Sequence, residues 1–132
     1  MLTTGYTLTA TTTAPFDETV ERVRGELASE GFGVLTEIDV KATMKAKLDA
    51  DMEDYVILGA CNPALAHRAL AADRSIGLLL PCNVVVRSAG DNTSTVEMLD
   101  PAVMSQVSQA PGLDDIAAQA AQKLRSALAA LS

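Results

Sequence analysis

Two apolar runs constrain this chain more than anything else in it. One is Tyr55-Val56-Ile57-Leu58-Gly59-Ala60, which runs into Cys61-Asn62-Pro63. The other is Ile76 to Val86, which contains Pro81-Cys82-Asn83. A short, continuously apolar run reads as a strand covered on both faces, so Tyr55–Ala60 is expected inside a sheet. Asn62 is then placed to cap a helix and Pro63 to be its first residue, since proline gives up only an N–H that has no intrahelical partner there. That helix is expected to continue to about Ala72 through Leu65, Ala66, Ala69 and Leu70. In the second run, Gly77-Leu78-Leu79-Leu80 predicts the start of another strand. Pro81 cannot donate to a ladder, so a bulge or a free edge is expected at that point.

The rest of the chain supplies alternating strands and helices. Tyr6 to Thr12 alternates apolar residues with threonine, a half-buried strand. Phe16, Val20, Val23 and Leu27 mark one face of a helix from Pro15 to Glu30, stopped by Gly31. Phe32 to Val40 reads as a strand. Lys41 to Leu48 reads as a short helix, with Val40, Met44 and Leu48 at i+4 spacing. Val84–Arg87 and Thr93–Leu99 flank Ala89-Gly90-Asp91-Asn92, a hairpin turn. Asp100-Pro101 repeats the cap-then-proline order before a helix to about Ser108. From Asp114 to Leu131, the residues Ile116, Ala120, Leu124, Ala127, Leu128 and Leu131 form an amphipathic stripe, expected to pack across one face of an antiparallel-dominated sheet. No linker, repeat or low-complexity segment divides the chain, so residues 1–132 are read as one domain.

Composition narrows the partners. The formal net charge of −7 argues against nucleic acid, whose phosphates need a basic surface, and against anionic membranes. The chain has no Trp, two Phe and two Tyr, so its core must be built from aliphatic residues and Met. No basic segment followed by a long apolar stretch opens the sequence, and no run is long enough to span a bilayer. A cytoplasmic protein is expected, with both cysteines as reduced thiols. The acidic stretch Asp49 to Asp54 lacks the glycine and spacing of a calcium loop and reads as a solvated loop.

The stretch from Gly31 to Pro101 resembles a bacterial and archaeal family, the domain of unknown function 302. The matching residues are Gly31-Phe32, Ile38-Asp39-Val40, Gly59-Ala60-Cys61-Asn62-Pro63 with Ala66 and Ala69-Leu70 following, Gly77 through Val84, and the hairpin ending near Asp100-Pro101. The flanking strand, first helix and last helix fit as well. The resemblance implies an α+β, two-layer sandwich with helices packed on a mostly antiparallel sheet, and a homodimer. It implies no established activity. Haem is the ligand it brings forward.

The candidate site residues are Cys61, Asn62, Pro63, His67, Pro81, Cys82 and Asn83. Cys61 stands just before a helix N-terminus, where the helix dipole favours an anion and lowers a thiol's pKa. It is therefore a candidate nucleophile, redox sensor or soft-metal ligand, or else a small packing residue. Cys82 follows a strand irregularity and has the same plain alternative. Asn83, if buried, must be hydrogen-bonded. It either ties the loop at Asn62 or faces a ligand. His67 is either a helix-flank residue near solvent or an axial ligand to haem iron. One His and two Cys make an incomplete zinc set. Met44, Met52, Met98 and Met104 read as fillers. No Ser-His-Asp order, phosphate loop or H-E-x-x-H is present. Three functions follow: a homodimeric domain binding a small ligand or cofactor, a thiol redox enzyme or sensor centred on Cys61, or a structural or partner-binding domain without chemistry.

Overall fold

In the computed structural model, which describes residues 2–3 and 5–131, six strands form a single sheet. The strands are β1 (Leu2–Thr3), β2 (Thr7–Thr12), β3 (Gly33–Asp39), β4 (Tyr55–Cys61), β5 (Cys82–Gly90) and β6 (Thr93–Leu99). Their order is β1-β2-β6-β5-β4-β3, and every neighbouring pair is antiparallel. Helices α1 (Phe16–Ser29), α3 (Pro63–Ala72) and α5 (Leu113–Ala129) complete an α+β sandwich. β4 has a partner on each side, as its unbroken apolar character requires.

Strand alternation decides which side chains meet the helices. Leu8, Val56, Leu58, Ala60, Val84, Val86, Val96 and Met98 are buried together with Val23 and Leu27 of α1 and Leu124 and Leu128 of α5. The stripe on α5 is buried along its whole length, from Ile116 to Leu131 just past its end. A second core joins Leu65 and Ala69 of α3 to Met104, Leu113, Ile116 and Ala120. Met104 belongs to α4 (Ala102–Val107), which packs on α5. Asp100 accepts from the Ala102 N–H at 3.0 Å and supports the start of α4. Buried hydroxyls are paired: Thr12 with Thr19 at 3.0 Å, and Ser94 donating to the Ala14 carbonyl at 3.0 Å.

Two expected elements differ from the structure. Gly77 to Leu80 does not open a strand. Arg74–Leu79 is a 3-10 helix, and β5 begins only at Cys82, after a cis Leu80–Pro81 peptide. Asp73 starts the 3-10 turn by accepting from the Ser75 N–H at 3.0 Å, and its other oxygen accepts from the Ser108 hydroxyl at 2.7 Å. Pro81 thus precedes the ladder and needs neither bulge nor free edge. The second difference is α2 (Val40–Leu48), which forms where expected but buries no residue. It is held at its ends. Asp39 caps the Ala42 N–H at 2.9 Å, and Lys45 pairs with Asp49 at 2.8 Å. Its apolar stripe faces outward, with Leu48 72% exposed. Strand β1, beside β2, has no counterpart in the sequence expectations.

Candidate functional site: a sulfur-bordered cleft where β4 enters α3

Asn62 makes the turn from β4 into α3 with extended backbone angles (φ −98°, ψ 107°), and its side-chain oxygen accepts from the Leu65 N–H at 3.2 Å. Its amide nitrogen lies against Gly31. A Cβ at Gly31 would stand 3.2 Å from that nitrogen, and Gly31 itself has φ +85°. Glycine is therefore needed at 31 both to end α1 and to admit Asn62. Pro63 occupies the first turn of α3, as expected.

The second motif meets the first through strand register. Ala60 pairs with Cys82 and Gly59 with Asn83. Cys82 therefore stands one ladder position from Cys61, with Val84 and Val86 on its own face. Gly59 lies beneath Thr36 and Pro81. A Cβ there would come within 2.2 Å of the Thr36 Oγ1 and 2.9 Å of the Pro81 Cγ.

Cys61, Asn62 and Cys82 border one cleft with Phe32, Ala60, Leu65, Ala66, Ala69, Leu80, Met104, Ile116 and Ala120. Its free volume is about 20 Å³, roughly the room one water molecule needs. No lining side chain is a carboxylate, amine or imidazole. Both cysteines are half-buried free thiols. Burial pushes the Cys82 thiol up from 9.0 to about 11, with the neighbouring Cys61 adding to the rise.

The remaining candidates lie elsewhere. Asn83 is exposed and borders a different depression with Tyr6, Tyr55 and Val85. Period-two alternation puts it across the sheet from Cys82, so it neither ties the Asn62 loop nor faces this cleft. His67 is exposed on α3 and is not among the lining residues. Pro81 packs over Gly59 and not in the cleft wall. Met104 and Ile116, by contrast, join the wall from α4 and α5. Helical spacing marks Ile116 as core and Met104 reads from the sequence only as a filler, and neither reading places them in the wall beside Cys82. Among the described residues, no group of three or more His, Cys, Asp or Glu is placed to hold a metal ion. A wider cleft of about 330 Å³ includes Asp17, Glu21, Glu37, Asp39 and Asp54. Three of these carboxylates are engaged: Glu37 with Arg24, Asp39 as the α2 cap, and Asp54 with Lys41 at 3.2 Å.

A haem does not fit these residues. The cleft volume is far below that of a porphyrin, and His67 is outside it.

The family model for domain of unknown function DUF302 matches residues 7–131. A crystal structure of an uncharacterized conserved DUF302 protein from Bacillus stearothermophilus has the same fold. It has a TM-score of 0.88 and 31% identity, covering 98% of this chain and 100% of that one. No curated protein matches the chain. The chain belongs to the DUF302 family. No described helix is long and apolar enough to cross a membrane.

Proposed function

We propose that this chain is a non-enzymatic binding domain whose site is the cleft between the end of β4, the start of β5, and helices α3 to α5. One observation carries the reading. Separated motifs, Cys61-Asn62 and Cys82, border one apolar cleft together with Met104. Binding is favoured over catalysis because the wall offers no general acid or base besides thiols, and one of those is pushed up to about 11. The same shift weighs against a thiol enzyme or sensor built on Cys82, since little thiolate exists at neutral pH. The volume favours an occupant much smaller than haem.

The proposal includes a reducing cytoplasm, where two half-buried thiols persist, and a homodimer. The face of the sheet opposite the main core supports the dimer. Tyr55, Ile57, Val85 and Leu99 are half-buried there, and Ile38 and Tyr6 are 49% and 63% exposed. A solvated face of an antiparallel sheet is ordinarily polar, so this face suits a second copy packed sheet on sheet. Its charges are already paired, with Arg87 donating to Glu97 at 3.2 Å.

The test for the site is methyl NMR during titration with small apolar solutes such as dimethyl sulfide. Shifts confined to Leu65, Leu80, Met104 and Ile116 are expected. Shifts elsewhere, or none, reject the cleft as the site. A parallel haem titration should give no saturable Soret change. Saturable binding that Cys82→Ser abolishes would restore haem.

A further inference from the structure

We infer that the depression around Asn83, on the sheet face opposite the helices, binds a neutral planar nitrogen heterocycle of the purine-base class. This site is separate from the cleft proposed above. Its free volume is about 230 Å³, and Tyr6, Tyr55, Asn83, Val85, Glu97 and Leu99 are among the residues that line it.

An asparagine that the fold does not use is the first argument. Asparagine is depleted in strands, yet Asn83 is the second residue of β5. Across the ladder it meets Gly59, which offers it no side chain. Asn83 is exposed, and among the described residues its carboxamide has no hydrogen-bond partner. Asn62, by contrast, is occupied as the cap of α3. A carboxamide presents an acceptor oxygen beside a donor amide nitrogen. Its complement is a ring edge with a donor next to an acceptor, as adenine offers through N6 and N7.

Aromatic placement is the second. The chain has two tyrosines, and both border this depression. Tyr6 precedes β2 and Tyr55 opens β4, with β6 and β5 between them. Three interstrand spacings make that span about 14 Å, room for a fused ring to lie over Val85 and Leu99. An aliphatic floor between two phenol rings suits a flat π face with polar edges.

Charge and size exclude the larger relatives of such a ring. Glu97 is the one charged residue in the lining, and it is engaged by Arg87 at 3.2 Å. No Lys or Arg lines the depression to meet a phosphate, and the chain carries −7. The volume is below the roughly 300–1,000 Å³ of sites for drug-sized molecules, so the base fits without sugar or phosphate. Tyr6 and Tyr55 also belong to the face proposed for the second copy. Base and partner therefore exclude each other, and the base favours the monomer by mass action.

Titration of the full-length protein with adenine, followed by methyl NMR with AMP as the control, tests the inference. Saturable shifts are expected at Val85 and Leu99, with Leu65 and Met104 of the cleft unmoved. Asn83→Ala should weaken binding by roughly tenfold or more, and Tyr6→Leu and Tyr55→Leu by roughly fivefold or more each. Asn83 is exposed and unpartnered, so Asn83→Ala should melt like wild type. AMP should bind at least about tenfold more weakly than adenine, because its phosphate meets no cation. No saturable shift up to millimolar adenine would overturn the inference. So would full affinity in Asn83→Ala, AMP binding as tightly as adenine, or shifts centred on Leu65 and Met104. In sedimentation velocity, adenine should raise the dimer's dissociation constant. A chain that is monomeric without adenine would reject the dimer, and the methyl shifts alone would then decide the site.

Discussion

Gly59 illustrates what a single residue decides. Its missing Cβ lets Thr36 and Pro81 close over β4, because an added methyl would lie 2.2 Å from the Thr36 hydroxyl oxygen and 2.9 Å from the Pro81 ring. Gly59→Ala should therefore cost about 1–3 kcal/mol by overpacking. Thr36 is exposed, so Thr36→Ala alone should change little, and in the Gly59→Ala background it should restore part of the loss. Urea unfolding of the four proteins measures the coupling. Additive effects would mean that Thr36 is not the obstacle. Cys82 gives a pH signature. Its folded pKa is raised from 9.0 to about 11, chiefly by burial and secondarily by Cys61, so the folded state holds the proton more tightly. The stability this contributes is complete below about pH 9 and is lost as pH rises to about 11. Cys82→Ser should unfold with a flatter dependence across that window, and equal slopes would contradict the burial. At this scale the sequence was legible for Asn62, because the cap needs only local spacing. It misled for Asn83, because the face a strand residue takes depends on a register set by distant partners.

Among the elements, those with strong periodicity were the legible ones. α1, α3, α5 and the β5–β6 hairpin follow their apolar spacing and turn residues. The segment before Cys82 did not, because Gly-Leu-Leu-Leu has no period that separates a buried strand from a helical turn. Its conformation is set by Asp73, which holds both Ser75 and Ser108. The periodicity of α2 was real, but tertiary structure left its stripe uncovered. α5 is the opposite case. Leu124 is 0% exposed and packs between sheet and α1. Leu124→Asp buries an unpaired carboxylate at a cost of several kcal/mol, comparable with a whole domain's roughly 5–15 kcal/mol. The variant should lose its cooperative thermal transition, whereas Leu124→Met should stay within about 1.5 kcal/mol of wild type. An unchanged melting temperature in Leu124→Asp would remove α5 from the core.

For the whole molecule, one sheet face is sealed by helices and the other carries half-buried aliphatic and aromatic side chains. That asymmetry is invisible in the sequence until register assigns Ile57 and Val85 to the same face, because continuous apolar runs in β4 and β5 look alike on both sides. A dimer built on this face sets an apolar attraction against the repulsion of two copies that each carry −7. Salt screens exposed charges over about 8–10 Å and leaves apolar burial intact, so the dissociation constant should fall as ionic strength rises from low values to about 0.15 M. An interface made by ion pairs would do the reverse. Ile57→Glu should dissociate the dimer by roughly tenfold or more, while secondary structure stays intact, because the residue lies outside the helix-covered core. Sedimentation velocity across a salt series, with wild type and Ile57→Glu side by side, separates these outcomes. A wild-type monomer at every salt concentration would reject the dimer. Tighter association at low salt would place the contact on charged surfaces instead of on the open sheet.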